Sequence, residues 1–598
     1  MSLVIMRNRL GLGRGSRRGR ERFRPSLDVL ENRALLSTLT VTNTLDDGSA
    51  GSLRTVVQGA ASGDIVVFAP SVRGTITLVS GPIITPLDAN ITIKGPGASV
   101  LTVSGGGVSP ILLAESSNPG GNTVFVSGLT LANGHATPAS SLGDSGGAIH
   151  VFGSHLKISD SVLSNNHADG LGGAIYTSAG SSLDMSRDVF NGNSAGTISM
   201  GFFGLGGAIF NQGTATVDSS QFVNNQALGS IGQGGAIQDG FSASLVVTGS
   251  TFTNNQAIGT SSASGGAIYG DAYSRLSVTS SAFSRNSAIS NGSASGGAID
   301  DTAFSQGFGT SNIATITDST FDDNTASGLQ GEYSSQGGAI LYSGDGLVVS
   351  GSSFRFNTAI GGNSTTGFGG TAEGGGIFAS GGSIVFSKDS FLGNAAIGGE
   401  GPLGGGYAVG GAVDLFASTN TSSASSTIDN STFAANVVKA GAGGGAYNFA
   451  AGGAIELVEA SVTVSNSSFI GNSALGSASA TGAGGTAQGG AIDVYMYSTL
   501  VLQSSLVIGN SAVGGKGAQG GSASGGGLSS AGTTTITDTL IAGNLAIGGR
   551  SASGPNGQGV GGGLYIFGGT TTLKGRTRVF ANYASTSDSN IHGTPMFA

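Results

Sequence analysis

The chain has 598 residues, 111 of them Gly, with no Cys, no Trp, 10% charged and 38% hydrophobic residues. That length exceeds one ordinary globular domain, the glycines do not recur every third residue as collagen requires, and zero Cys excludes a disulfide scaffold or a thiolate metal site. Residues 1–36 hold nine of the 24 basic residues and three of the 33 acidic ones, so the body carries 15 basic against 30 acidic residues, which argues against a nucleic-acid partner.

The first element in chain order is a basic leader, residues 1–37, read as a disordered sorting segment. Its apolar piece, Leu3 to Met6, is too short for an ordinary signal-peptide core. No run of about 18 apolar residues exists, so no transmembrane helix is expected. The leader closes on Leu30-Glu31-Asn32-Arg33-Ala34-Leu35-Leu36, which resembles the LEPR-XLL segment of planctomycete surface proteins, with Asn32 where that motif has Pro. The resemblance implies a secreted or cell-surface, outer-membrane-associated protein.

Residues 38–145 read as a cap followed by irregular first coils. A short amphipathic segment with Leu53, Val56 and Val57 would be a helix covering the first coil, whose bare strand edges otherwise invite aggregation. Strands are expected in DIVVF (64–68), GTITL (74–78), ANITIKG (89–95), VLTVSG (100–105) and NTVFVSGLTLANG (122–134).

From 146 to 584 the chain repeats. A Gly-Gly-small-aliphatic tetrapeptide occurs thirteen times, first at Gly146 and last at Gly561, at spacings of 26 to 42 residues. Each is followed by an invariant Asn: Asn166, Asn193, Asn225, Asn255, Asn286, Asn324, Asn357, Asn394, Asn436, Asn472, Asn510, Asn544 and Asn582. Three residues before it stands Phe in nine units (Phe190, Phe222, Phe252, Phe283, Phe321, Phe354, Phe391, Phe433, Phe469) and Leu163, Val507, Ile541 or Val579 in the others. Eight before it is apolar in all but the last unit, where Lys574 stands; five before it is always Ser, Thr or Asp; two after it is Ala, with Val438 the one exception.

Apolar residues two apart indicate strands, and units that cannot bury their own faces must stack. Parallel stacking with the favoured crossover hand gives an all-β fold, a single-stranded right-handed parallel β-helix of thirteen units rising about 4.8 Å each. Phe would stack from coil to coil, and Gly-Gly would form the corner. The Asn would sit in a left-handed bend and bond to its copies in a ladder. Between each Asn and the next Gly-Gly lie arms that lengthen along the chain and turn almost wholly to Gly, Ala, Ser and Thr, as in ALGSASATGAGGTAQ (474–488); they read as a binding face or a low-complexity spacer. Residues 585–598 read as a tail.

The tandem GGAI and FxxN elements resemble the repeats of polymorphic outer membrane proteins of chlamydial surfaces, and TVTNTLDDGSAGSLR (40–54) resembles the start of many secreted bacterial β-helix proteins. The resemblance implies an adhesin-like surface passenger. Chlamydial members end in a membrane β-barrel; the sixteen residues after Asn582 are too few for one, so self-export is not expected. The expected function is non-enzymatic, in adhesion or a surface layer; the alternative is a polysaccharide lyase or glycoside hydrolase on the same fold. Expected partners are surface glycans or other cell-surface proteins, and the chain is expected to be a monomer.

One constellation is a candidate for catalytic or binding chemistry. The residue after each tetrapeptide should point outward, and in three successive units it is Asp414, Glu456 and Asp493, with Asp300 further up. Stacked carboxyls about 5 Å apart suit a glycosidase pair or a Ca²⁺ site, the one cofactor considered. His150, His155 and His167 fall in the first unit and could approach one another. Asp300-Asp301 and Asp322-Asp323 resemble acidic pairs of pectin hydrolases without their basic partners. The Gly pairs are corners rather than phosphate loops, since none opens a helix.

Overall fold

The computed structural model describes residues 37–140, 143–198, 201, 203–302, 313–416, 425–444 and 448–598; the basic leader lies outside them. The chain winds as a parallel β-solenoid in which each coil meets three sheets, of 32, 16 and 23 strands. The sixteen-stranded sheet runs in single file: three strands precede the repeats (Gly74–Thr77, Leu101–Ser104, Thr130–Ala132) and thirteen belong to them, one per unit from Val162–Ser164 to Arg578–Phe580. Pairing is in register, so each repeat column faces its own copies: Phe222 opposes Phe252, and Phe283 opposes Phe321.

That register sets the core. The nine Phe side chains are fully buried, their rings stacked 4.7–4.9 Å apart with planes within 8° of parallel. Aliphatic columns from the 32-stranded sheet close the interior around them. The Asn column is equally buried and uses every hydrogen-bonding group of its amide. Asn225 Nδ2 donates to Asn255 Oδ1 (2.9 Å) and to the Phe190 carbonyl (3.0 Å), while its Oδ1 accepts from Asn193 N (3.1 Å) and Nδ2 (2.9 Å). The ladder starts where Gly134 N donates to Asn166 Oδ1 and passes beyond Asn582 to Asn590 Oδ1. The left-handed backbone, however, belongs to the residue before each ladder Asn: Asn165, Asn224, Asn254, Arg285, Phe356 and Ala435 all have φ between 52° and 55°. That residue turns the chain so that the Asn amide faces inward.

The Ser/Thr/Asp column makes a second ladder, Ser161 N to Asp188 Oδ1, Asp188 N to Ser220 Oγ and Ser220 N to Ser250 Oγ, at 2.9–3.1 Å. Both corner glycines have a reason. The first of each pair has φ between 53° and 71°, and a Cβ on the second would lie about 2 Å from a backbone carbonyl, as at Gly297 against Gly338 O.

The arms are not spacer. Their outgoing and returning legs form the 23-stranded sheet, and in the later units the Ala two residues after the Asn clusters with Ala of the returning leg. Ala396, Ala408, Ala474 and Ala487 belong to this second core. In the later arms glycine amides zigzag between legs: Gly370 to Gly362, Gly399 to Gly370, Gly406 to Gly399 and Gly441 to Gly406, each N donating to O at 2.7–2.9 Å. A Cβ on Gly406 would lie 1.8 Å from Gly370 O, so the legs approach this closely only because they are Gly.

Both ends are closed. The helix Leu53–Gln58, capped by Ser52, lays Leu53 and Val57 on the first coils. Arg54, buried beside them, binds both oxygens of Asp46 and the Gly81 and Pro82 carbonyls. Residues 585–598 are more than a tail: Ile591–His592 and Met596–Phe597 add strands to the 32-stranded sheet.

Asn324→Ala removes the Oδ1 that accepts from Asn286 N and Nδ2, and the Nδ2 that donates to the Phe283 carbonyl and to Asn357 Oδ1. Each buried polar group left unpaired costs about 1–3 kcal/mol. The expected result is a lower denaturant midpoint together with faster amide exchange confined to the neighbouring coils, measured by chemical unfolding and hydrogen exchange. Gly406→Ala is expected to loosen the arms of residues 361–441 while leaving exchange in the Phe-lined coils unchanged.

Candidate functional site

Asp414, Glu456 and Asp493 follow inward-facing Val413, Ile455 and Ile492, so they leave the coil on its outer side, in register with one another. They are nevertheless not solvated: all three are 3% exposed or less. The arms fold back across this face of the 32-stranded sheet and cover it. What remains open is a cleft of about 540 Å³ between sheet and arms, lined by Asp414, Glu456, Glu373 and Gln336 among the rings of Phe378, Tyr407, Phe416, Phe449 and Tyr495. On the arm side, Glu373 accepts from Tyr407 Oη (2.7 Å) and Gln336 Nε2 (2.6 Å). Asp493 lies one coil beyond, outside that lining.

Electrostatics follow from burial. Desolvation pushes Asp414 well above the ordinary carboxyl range, with the Glu373 charge adding to it; Glu456 moves the same way through burial and then the charges of Asp493 and Asp414. Asp493 is pushed up to about 6, again chiefly by burial. Asp414 Oδ1, Glu456 Oε2 and both Asp493 oxygens have no hydrogen-bond partner among the described residues. Among the described residues no Lys, Arg or His lines the cleft. The three carboxyls do not gather into a metal cage: among the described residues the group with ligand atoms close enough to hold an ion is His135, His167 and Asp169.

Asp300 does not join the column, because Leu341 and Phe378 intervene in the next two coils. It neighbours Asp301, which turns toward the coil corner in register with Gly270 and Tyr342. Burial, then the Asp300 charge, lifts Asp301 to about 8; Asp300 itself reaches about 6 through burial. Asp322 and Asp323 sit instead on the sixteen-stranded side, where Asp322 faces Arg355 at 3.9 Å, so the two acidic pairs occupy different sheets.

The histidines also sort differently from expectation. His150 packs on the Tyr176 ring at 4.7 Å and His155 pairs with Asp184 at 2.9 Å. His167 meets His135, a residue of the coil before the repeats. The signal was present in the sequence: Asn133-Gly134-His135-Ala136 aligns with Asn165-Asn166-His167-Ala168, but Gly134 replaces the ladder Asn, and a search keyed on Asn passes over it.

Two segments, residues 160–178 and 249–271, match the model of the Chlamydia polymorphic membrane protein repeat. The chain carries this repeat. No curated protein matches the chain. Among solved structures it is similar to the A-module of the Azotobacter vinelandii mannuronan C-5 epimerase AlgE4, at 11% identity and TM-score 0.29, over 72% of this chain and 96% of that one. It is also similar to the family PL6 alginate lyase AlyGC (10% identity, TM-score 0.27, 91% of this chain and all of that one). Tailspike protein 3 of bacteriophage CBA120 is a third (13%, 0.26, 92% of this chain and 60% of that one).

The buried acids make stability pH-dependent. Their folded pKa values exceed the unfolded ones, so the stability they lend is complete below about pH 4 and is lost as pH rises through about 6 to 8. The unfolding temperature is expected to fall between pH 5 and pH 8.5, with Asp301→Asn flattening the upper part of that slope; a fall that Asp301→Asn and Asp493→Asn leave untouched would refute the assignment.

Proposed function

We propose that the chain is a non-enzymatic surface β-helix that serves in adhesion or as a structural part of a cell-surface layer. The observation that carries this reading is the uninterrupted ladder from Gly134 to Asn590, which makes one self-propagating rod from repeats of the polymorphic membrane protein type. A rod of stacked coils presents its arms along one side as a long, regular surface, which suits display and multivalent contact. No helix among the described residues is long and apolar enough to cross a membrane.

A second reading rests on the cleft. Carboxyls set among five aromatic rings form the kind of concave, ring-lined site that takes a sugar, and Asp414 and Glu456 would be the reacting pair of a polysaccharide lyase or glycoside hydrolase. The lack of a basic partner among the described residues and the lifted pKa values of both acids weigh against that chemistry.

Protease treatment of intact cells producing the protein is expected to release β-helix fragments into the medium, and their retention would sink surface display. Incubation of the purified chain with a panel of acidic and neutral polysaccharides is expected to leave them full-length. Depolymerisation that Glu456→Gln abolishes would establish the enzyme instead.

A further inference from the structure

We propose that His135, His167 and Asp169 form a binding site for a divalent transition-metal ion, of which Zn²⁺ is the type, that staples the last irregular coil to the first repeat. His135 and His167 are register partners in adjacent coils, with ring centroids 4.9 Å apart. Both Nε2 atoms converge on one carboxylate oxygen, Asp169 Oδ1, at 3.2 and 3.3 Å, and the three ligand atoms lie within 4.8 Å of one another. For bond lengths of about 2.0 Å at tetrahedral angles, two ligand atoms on one Zn²⁺ are about 3.3 Å apart.

The outer contacts fix which nitrogen is free. His135 Nδ1 lies 3.1 Å from the Gly107 carbonyl, and His167 Nδ1 lies 3.1 Å from the Ser194 carbonyl and 2.8 Å from Ser194 Oγ. A carbonyl cannot donate, so each Nδ1 carries the hydrogen, and Nε2, whose lone pair a neutral ring offers, is the nitrogen turned toward Asp169. Two lone pairs aimed at one carboxylate oxygen repel unless a cation lies between them. A ligating His whose other nitrogen donates to a backbone carbonyl is the usual outer arrangement of a protein metal site.

The donor set of two imidazoles and one carboxylate suits Zn²⁺, Co²⁺ or Ni²⁺ rather than Ca²⁺, which takes six to eight oxygens. Each side chain is 28–29% exposed, so the site is reachable from solvent and keeps a coordination position open for water or a ligand.

The test uses the full chain without an affinity tag, because its five histidines must be the only ones present. Calorimetric titration with Zn²⁺ is expected to give one ion per chain, Co²⁺ to give a visible absorption band, and saturating Zn²⁺ to raise the unfolding temperature. His135→Gln, His167→Gln and Asp169→Asn are each expected to weaken Zn²⁺ binding by about 100-fold or more, beyond the loss usual for outer-shell changes. His150→Gln and His155→Gln are expected to leave it unchanged. On the unmutated chain, imidazole NMR is expected to show two of the five histidines shifting on Zn²⁺ addition. No saturable Zn²⁺ binding, binding that survives His135→Gln and His167→Gln in folded protein, or shifts at His150, His155 or His592 instead would overturn the proposal.

Discussion

A side chain in a repeat column must live with the residue at the same position of the next coil about 4.8 Å above and below it. In-register parallel pairing imposes that constraint, and the residue types at each column follow from it. Phe satisfies it by offset stacking of rings. Asn satisfies it because its amide carries donor and acceptor together, so one Asn completes the next and the spare N–H reaches a carbonyl of the preceding coil. Ser and Thr do the same with a hydroxyl, which gives and takes in turn. Gly satisfies it by having nothing to collide.

Groups that are not self-complementary show what the constraint costs. A carboxylate stacked on a carboxylate is repelled, and burial removes the water that would screen the pair. At Asp414, Glu456 and Asp493, burial under the arms lifts the pKa and so favours the neutral form. Asp239 and Asp301 meet the same constraint at the coil corner, where Gly270 stands between them and a side chain would strike Asp301. At the start of the repeats the same column logic brings two imidazoles onto one carboxylate. The ladder residues Asp188 and Asp389, both lifted to about 7 by burial, occupy a column of hydroxyls that they join by accepting two backbone amides each.

Stability in such a rod is local. Each coil contacts its neighbours, so the interior of Phe and aliphatic residues and the Ala–Gly interior of the arms form separate packed zones along one axis. The ends are the exceptions, where open edges need covering. Arg54 is spent on the first, with four acceptors around a buried guanidinium, and Asn590 on the last, as the final acceptor of the ladder.

The sequence by itself determined the solenoid, because thirteen invariant Asn residues flanked by fixed Phe, Ser and Ala columns leave stacking as the way to bury them. It determined the Phe and Asn columns for the same reason, since a periodic pattern is a statement about neighbours in the next coil. What only the tertiary structure decided lies across the columns rather than along them. Whether Asp414 meets water depends on how far the arms fold back over the broad sheet. Whether Gly-rich arms are slack or packed depends on how closely two legs approach. Which histidines meet depends on a coil whose Gly134 hides its register. Spacing along the chain encodes what stacks on what, while contacts between the sheet and the arms are set by arm geometry, which a sequence of Gly, Ala and Ser leaves unspecified.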